Sequence, residues 1–196
     1  MTQQQLILAI TIPIAVLVLT FLSIYIFGYI YNTLVKRRRL ALNSWRELTK
    51  ILKKEFNYIP SIVKSVKMDN KTRDKLFSIY KEYKSLDLIS SSPDEVSTLY
   101  VLLSSCLDKL QDENKDNEVL EFVNESMRLS SFSIPLYNHN VRKYLRMKSK
   151  PINRSVAKTF GFEEIKLFVI DQKEADTTID LRLKKFTIEQ GVNNYE

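Results

Sequence analysis

"NSWRELTKILKKEFNYIPSIVKSVK", residues 43–67, places Trp45, Leu48, Leu52, Phe56, Ile59, Val63 and Val66 three or four positions apart. That spacing returns to one side of an α-helix at every step, so it predicts an amphipathic helix with a single apolar face. Pro60 lies inside the pattern and predicts a kink, because proline removes one donor from the helix ladder. The chain has three glycines, Gly28, Gly161 and Gly191, and none between Tyr29 and Phe160. A glycine-free stretch of that length favours long helices over tight hairpins, and it leaves no room for a phosphate-cradling glycine loop.

Toward the N-terminus the same helix runs back into "LILAITIPIAVLVLTFLSIYIFGYI", residues 6–30, which carries no charge; the first charged side chain is Lys36. At about 1.5 Å per residue this stretch exceeds the ~30 Å hydrocarbon core of a bilayer. A cleaved signal peptide would need a charged leading region and a small-residue cleavage site, and "MTQQQ" and "YIFGYIYN" supply neither. The segment therefore reads as a transmembrane helix, bent without being ended at Pro13, with Tyr25, Tyr29 and Tyr31 at its exit interface. "KRRR", Lys36, Arg37, Arg38 and Arg39, follows at once, so the positive-inside rule places the N-terminus outside and the rest in the cytoplasm. A single cysteine fits that reducing compartment.

Toward the C-terminus a second helix is expected over about 72–89, with Leu76, Ile79, Tyr80, Tyr83 and Leu86 on one side. "SSSPDEV" starts a third: Ser92 is the N-cap, Pro93 the first helical residue, and Glu95 closes a capping box. Val96, Leu99, Leu103, Cys106 and Leu110 form its apolar stripe. "QDENKDN" breaks the pattern, and a fourth helix over about 117–147 turns Leu120, Val123, Met127, Ile134, Tyr137, Val141 and Tyr144 inward. The fold class is all-α: an antiparallel up-down four-helix bundle behind a transmembrane helix. Past Phe162 the runs "KLFVI" and "TIDLRLKKF" favour β-structure, and two readings stay open, a short hairpin packed on the bundle or a partly disordered tail. The chain thus divides into a short segment 1–5, a span 6–30, a helical bundle 31–162 and a tail 163–196.

Charge is uneven. Residues 36–54 hold eight Lys/Arg against Glu47 alone, residues 142–158 hold seven and no acid, and residues 108–125 hold seven Asp/Glu against two Lys. In an up-down bundle both basic segments return to the membrane-proximal end, where anionic head groups attract each cation by about 1 kcal/mol. Lys36, Arg37, Arg38, Arg39, Arg142, Lys143 and Arg146 are the candidates for that surface. The net charge of +7 is then explained by the membrane before nucleic acid need be invoked.

Nothing in the sequence assembles catalytic apparatus. At about 100° per residue Tyr137, Val141, Tyr144 and Leu145 share one face, and His139 falls opposite, among Arg142, Lys143 and Arg146. His139 is expected to point to solvent, where neighbouring cations lower its pKa and repel a metal. One His and one Cys exclude an internal N/S zinc site. Cys106 continues a core stripe, and "DENKDN" fails as a calcium loop because Asn117 replaces the turn glycine and Val123 the bidentate Glu. No catalytic residue, metal or cofactor is expected.

Five stretches together resemble the LemA family of bacterial membrane proteins. "YNTLVKRRR" follows the span as the family's YN-x-LV-x-x-R segment does, through Tyr31 and Asn32, and Trp45 in "NSW" falls where a tryptophan is common. "YIPSIVKSVK", with Pro60, is similar to LIPNLVE-x-VK. "LYNHNVRKYL" resembles F-YN-x-x-VR-x-YN through Tyr137, Asn138, Val141, Arg142 and Tyr144. "KPINRSVAKTFGF" resembles FPNNLIAKLFGF through Phe160, Gly161 and Phe162. Departures are Leu145 in place of a second Asn, Pro135 before the signature, short middle helices and a tail without counterpart. The resemblance implies a helical bundle on an anchor in the inner (cytoplasmic) membrane, without established enzymatic activity. The expected role is a non-catalytic scaffold of the cell envelope. Its partner would be an envelope protein such as a membrane protease or secretion component, and homo-oligomers stay open. The alternative is a nucleic-acid or anionic-lipid binder using 36–54 and 142–158.

Overall fold

The computed structural model describes residues 3–114 and 117–170. These residues form five helices and no strand: α1 Gln3–Ser65, α2 Asn70–Ser85, α3 Pro93–Glu113, α4 Glu118–Lys148 and α5 Pro151–Thr159. Helix α1 continues through Pro60, and α4 through Pro135. Four helices behind the span were expected and one more is present. Helix α2 stops four residues before the expected end. Leu86 is extended, and the Asp87 carboxylate accepts from the Ile89 N–H (3.2 Å) and the Ser90 hydroxyl (2.7 Å). An acidic side chain that bonds the following backbone offers a turn in place of another helical step.

The described residues divide into two units, residues 3–40 with 143–164, and residues 41–142 with 165–170. In the first unit residues 11–29 of α1 are exposed on every side, and Ile30 and Leu34 are the first to be buried. Among the described residues this is one helix long and apolar enough to cross a membrane. The hydroxyls of Thr20, Ser23 and Thr33 donate to carbonyls one turn back, at 2.8 Å each, so no polar group of theirs is left to an apolar solvent.

Helix α5, which periodicity did not reveal, is bounded by simple devices. Pro151 opens it with its φ already set, and the Asn153 amide donates to the Met147 carbonyl at 2.9 Å. Its end is a Schellman turn: Phe162 N–H reaches Ala157 O (2.9 Å) and Gly161 N–H reaches Lys158 O (3.4 Å), with Gly161 at φ +62°. The turn aims Phe160 and Phe162 at Tyr31, with ring centroids 4.8 and 5.8 Å away.

In the second unit α1 buries Trp45, Leu48, Leu52, Phe56 and Ile59, but Ile62 in place of Val63, which is half-buried. The Phe56 ring stacks on Tyr83 of α2 (4.8 Å, 15°). Helix α3 begins with the expected capping box: Glu95 N–H donates to Ser92 Oγ (3.4 Å) and Ser92 N–H to the Glu95 carboxylate (3.2 Å). Its stripe of Val96, Leu99, Leu103, Cys106 and Leu110 is buried as expected. Asn117 accepts from the N–H groups of Val119 and Leu120, so the "DENKDN" turn does cap α4. Residues 163–170 are neither helix nor strand, so "KLFVI" forms no strand; the rest of the tail, with "TIDLRLKKF", lies outside the described residues.

At Gly161 nothing lies within 4 Å of an added Cβ, so a side chain there meets only the cost of left-handed backbone. Gly161→Ala is expected to lose about 1 kcal/mol, and Gly161→Asn less, in urea unfolding of the full chain in detergent micelles. Equal stability of all three chains would refute the turn.

Candidate functional site

Asn138, buried in the second unit, is the centre of a clamp on residues 165–170. Its carboxamide Nδ2 donates to the Phe168 carbonyl at 2.8 Å, and the Phe168 N–H donates back to Oδ1 at 2.9 Å. From the adjacent position on α4, the Tyr137 hydroxyl donates to the Lys166 carbonyl at 2.6 Å. Residues 166 and 168 thus present their main-chain groups to the same side, the alternation of an extended chain, and side chains of α4 take the place of a neighbouring strand. Burial, with the Asp94 carboxylate adding to it, holds the Tyr137 phenol well above its ordinary range, so it stays a donor across physiological pH.

The Phe168 ring is the single fully covered side chain of the segment. It sits 5.8 Å from Tyr100, edge-on, and 6.3 Å from Trp45, whose ring lies 5.2 Å from Tyr137. Trp45 is itself pinned by its indole N–H, which donates to the Ile89 carbonyl at 3.3 Å. At the rim Lys166 Nζ meets Asp94 Oδ2 at 2.6 Å. In the first unit Tyr144 makes a bond of the same kind, donating to the Glu163 carbonyl at 2.6 Å. Three of the signature residues therefore act on main chain: Tyr137, Asn138 and Tyr144 bind backbone groups of residues 163–168.

A second polar cluster lies in the interior of the second unit and gave no signal in the sequence. Glu55 is 1 % exposed, and neither carboxyl oxygen has a hydrogen bond of standard geometry; Ser126 Oγ is unpartnered as well. The Ser130 and Ser126 hydroxyls lie near enough to favour the charge slightly, but desolvation dominates and raises the Glu55 pKa from 4.5 to about 7. Tyr100 and Ser130 share a hydrogen bond of 2.8 Å, and burial next to Glu55 pushes the Tyr100 phenol up to about 12. Glu55 sits one position from the apolar stripe and directly after Lys53 and Lys54, so it reads as part of a solvated run.

The expected site residues fall into both units. Tyr31, Asn32, Tyr144, Phe160, Gly161 and Phe162 belong to the first, and Trp45, Pro60, Tyr137, Asn138, Val141 and Arg142 to the second. Lys36, Arg37, Arg38, Arg39, Arg142, Lys143 and Arg146 were expected together at the membrane-proximal end, and Lys36, Arg39, Lys143 and Arg146 are exposed in the first unit. Of the seven cations proposed for that end, Arg38 reaches Glu163 at 3.5 Å, and Arg142 is half-buried in the second unit. The first unit collects four Lys/Arg from 36–39 and six from 143–158, against Glu163 and Glu164. His139 is half-buried, not turned fully to solvent as expected, and Asn138 and Asn140 on either side of it meet Phe168 and Ser44. Among the described residues no group of three or more His, Cys, Asp or Glu could hold a metal. A groove of the second unit is lined by Arg46, Lys50, Lys53, Tyr83 and Lys84 together with one acid, Asp87.

Glu55 has a direct consequence for stability. Below pH 4.5 the carboxyl is protonated in folded and unfolded chains alike and its burial carries no charge penalty. Between 4.5 and about 7 only the unfolded chain releases the proton, so stability falls as pH rises, by roughly 3 kcal/mol in all. Glu55→Gln should abolish that slope and raise the melting temperature at pH 8, followed by helical circular dichroism in micelles. A variant that keeps the wild-type slope would remove Glu55 as its source.

Searches against protein-family models, curated proteins and solved structures found no match to this chain.

Proposed function

We propose that this chain is a LemA-like, membrane-anchored, non-catalytic interaction protein of the cell envelope. Residues 6–30 span the inner membrane with the N-terminus outside, and the helices form an up-down antiparallel bundle in the cytoplasm. The observation that carries the interaction reading is a stripe on α4. Phe122, Leu129, Phe132 and Leu136 are 63, 46, 50 and 54 % exposed and recur along one line of the helix. The opposite face of the same helix already buries Leu120, Val123, Ile134 and Tyr137, so the outer stripe is not a misplaced core. Four large apolar side chains aligned in water mark a surface that a partner covers.

Other features support the rest of the reading. The uncovered apolar helix over 11–29 supports the anchor, and the four cations of residues 36–39, shortly after it, support the orientation. Pairings of ascending with descending residue numbers support antiparallel neighbours: Ser44 with Asn140 and Ser65 with Asn117, and Thr72 with Lys109 and Lys75 with Ser105. An envelope membrane protease or secretion component is the partner class the resemblance suggests. The groove with Arg46, Lys50, Lys53 and Lys84 favours a second reading, an anionic lipid or nucleic acid.

In-cell photocrosslinking from position 129 should give a discrete product that disappears when Phe132→Asp is added. An unchanged product list would defeat the reading. A cysteine introduced for Ser155 should resist a membrane-impermeant thiol reagent in intact cells, since Cys106 is buried and adds no background; labelling there would overturn the orientation. A gel shift of the full chain that weakens steeply with salt would select nucleic acid instead.

A further inference from the structure

We propose that the groove of Trp45, Tyr100, Tyr137 and Asn138 is a peptide-recognition site that reads Lys-x-Phe in an extended partner segment. Residues 165–170 are then the ligand it holds in cis. This rests on the clamp and not on the α4 stripe.

The geometry divides the work of recognition as strand-adding peptide sites do. Asn138 and Tyr137 bond main chain only, three hydrogen bonds that any sequence satisfies, with one exception. Proline is excluded at the position of Phe168, whose N–H donates to Asn138 Oδ1. Side-chain choice comes from two places. The Tyr100 and Trp45 rings, the latter backed by Tyr137, accept an aromatic side chain two residues after a cation, and Asp94 at the rim accepts that cation. Asp94 follows Pro93 in the first turn of α3, where the capping box fixes the backbone, so the acidic determinant is held in place from outside the groove.

The same arrangement shows why the resident segment is exchangeable. Of residues 165–170 only Phe168 is buried; Lys166 and Val169 are exposed, and Ile165, Leu167 and Ile170 are half-buried. Among the described residues one buried anchor, three half-buried apolar side chains, three main-chain bonds and one exposed ion pair hold the segment, a small set compared with a core helix. An in-cis ligand nonetheless competes at a high effective concentration, of order millimolar for a short tether, so a free partner must match its pattern to displace it. The occupant proposed is therefore a partner protein's extended segment with Lys at the first position and Phe at the third.

The test uses the full chain in detergent micelles and a fluorescein-labelled peptide of residues 163–170, EEIKLFVI. In the Phe168→Ala chain the anchor site is emptied, and the peptide should bind saturably and at least tenfold more tightly than to wild type. Adding Asn138→Ala should weaken that binding at least tenfold. A peptide with Ala at the phenylalanine position should not bind, and one with Glu at the lysine position should bind several-fold more weakly. Should Phe168→Ala lose its helical circular dichroism, Phe168→Leu serves in the same comparisons. Binding no tighter than to wild type, or binding indifferent to Asn138 or to the peptide's phenylalanine, overturns the proposal. The α4 stripe is untouched by these changes, so the position-129 crosslink fails or survives independently.

Discussion

Exclusion of water from the interior of the second unit gives every polar group inside it its meaning. Leu48, Leu52, Phe56 and Ile59 of α1 are fully covered, each worth roughly 2 kcal/mol of apolar burial, and the stripe of α3 closes over the same interior. A polar group sealed there is either paired or costly. Asn138 is paired twice, with both main-chain groups of Phe168, and the Tyr100 hydroxyl is paired with Ser130. Ser126 Oγ is left without a partner, and the costlier exception is Glu55: a carboxyl as deeply covered as its leucine neighbours, with no standard hydrogen bond to either oxygen. Burial favours its protonated form, which ties stability to pH through a residue that the apolar pattern conceals.

The first unit lives under the opposite constraint. Residues 11–29 are apolar and uncovered, and their hydroxyls at Thr20 and Ser23 are satisfied inside the helix itself. The helix needs no protein neighbour over that length, only a solvent that does not compete for its backbone, which is what a bilayer supplies. Where cover begins, at Ile30 and Leu34, the rings of Tyr31, Phe160 and Phe162 gather, and the cations cluster just beyond. Along α1 an uncovered apolar stretch, a tyrosine in an aromatic cluster and a run of cations thus follow one another.

Signature residues that look alike in sequence act differently in space. Within "LYNHNVRKYL", Val141 fills core, Tyr137 and Tyr144 use their hydroxyls on carbonyls, and Asn138 reads both main-chain groups of one residue. Asparagine suits its place because its carboxamide offers donor and acceptor at once. Aspartate there would leave the Phe168 carbonyl without a donor.

The sequence by itself determined what depends on neighbours along the helix: the stripes of α1 and α3, the capping box at Ser92 and Glu95, the turn at Asn117, and the apolar length of the N-terminal helix. Each is set by residues a few positions apart, which can be counted along the chain. Helix α5 was also written there, as Pro151 at its start and Gly161 after its end, but nine residues are too few for periodicity to show. Only the tertiary structure decided that Phe168 is an anchor, that Asn138 reads its backbone from thirty residues away, and that Glu55 is sealed from water. Those facts depend on which faces meet, and a face that is polar in sequence becomes interior only when another element closes over it.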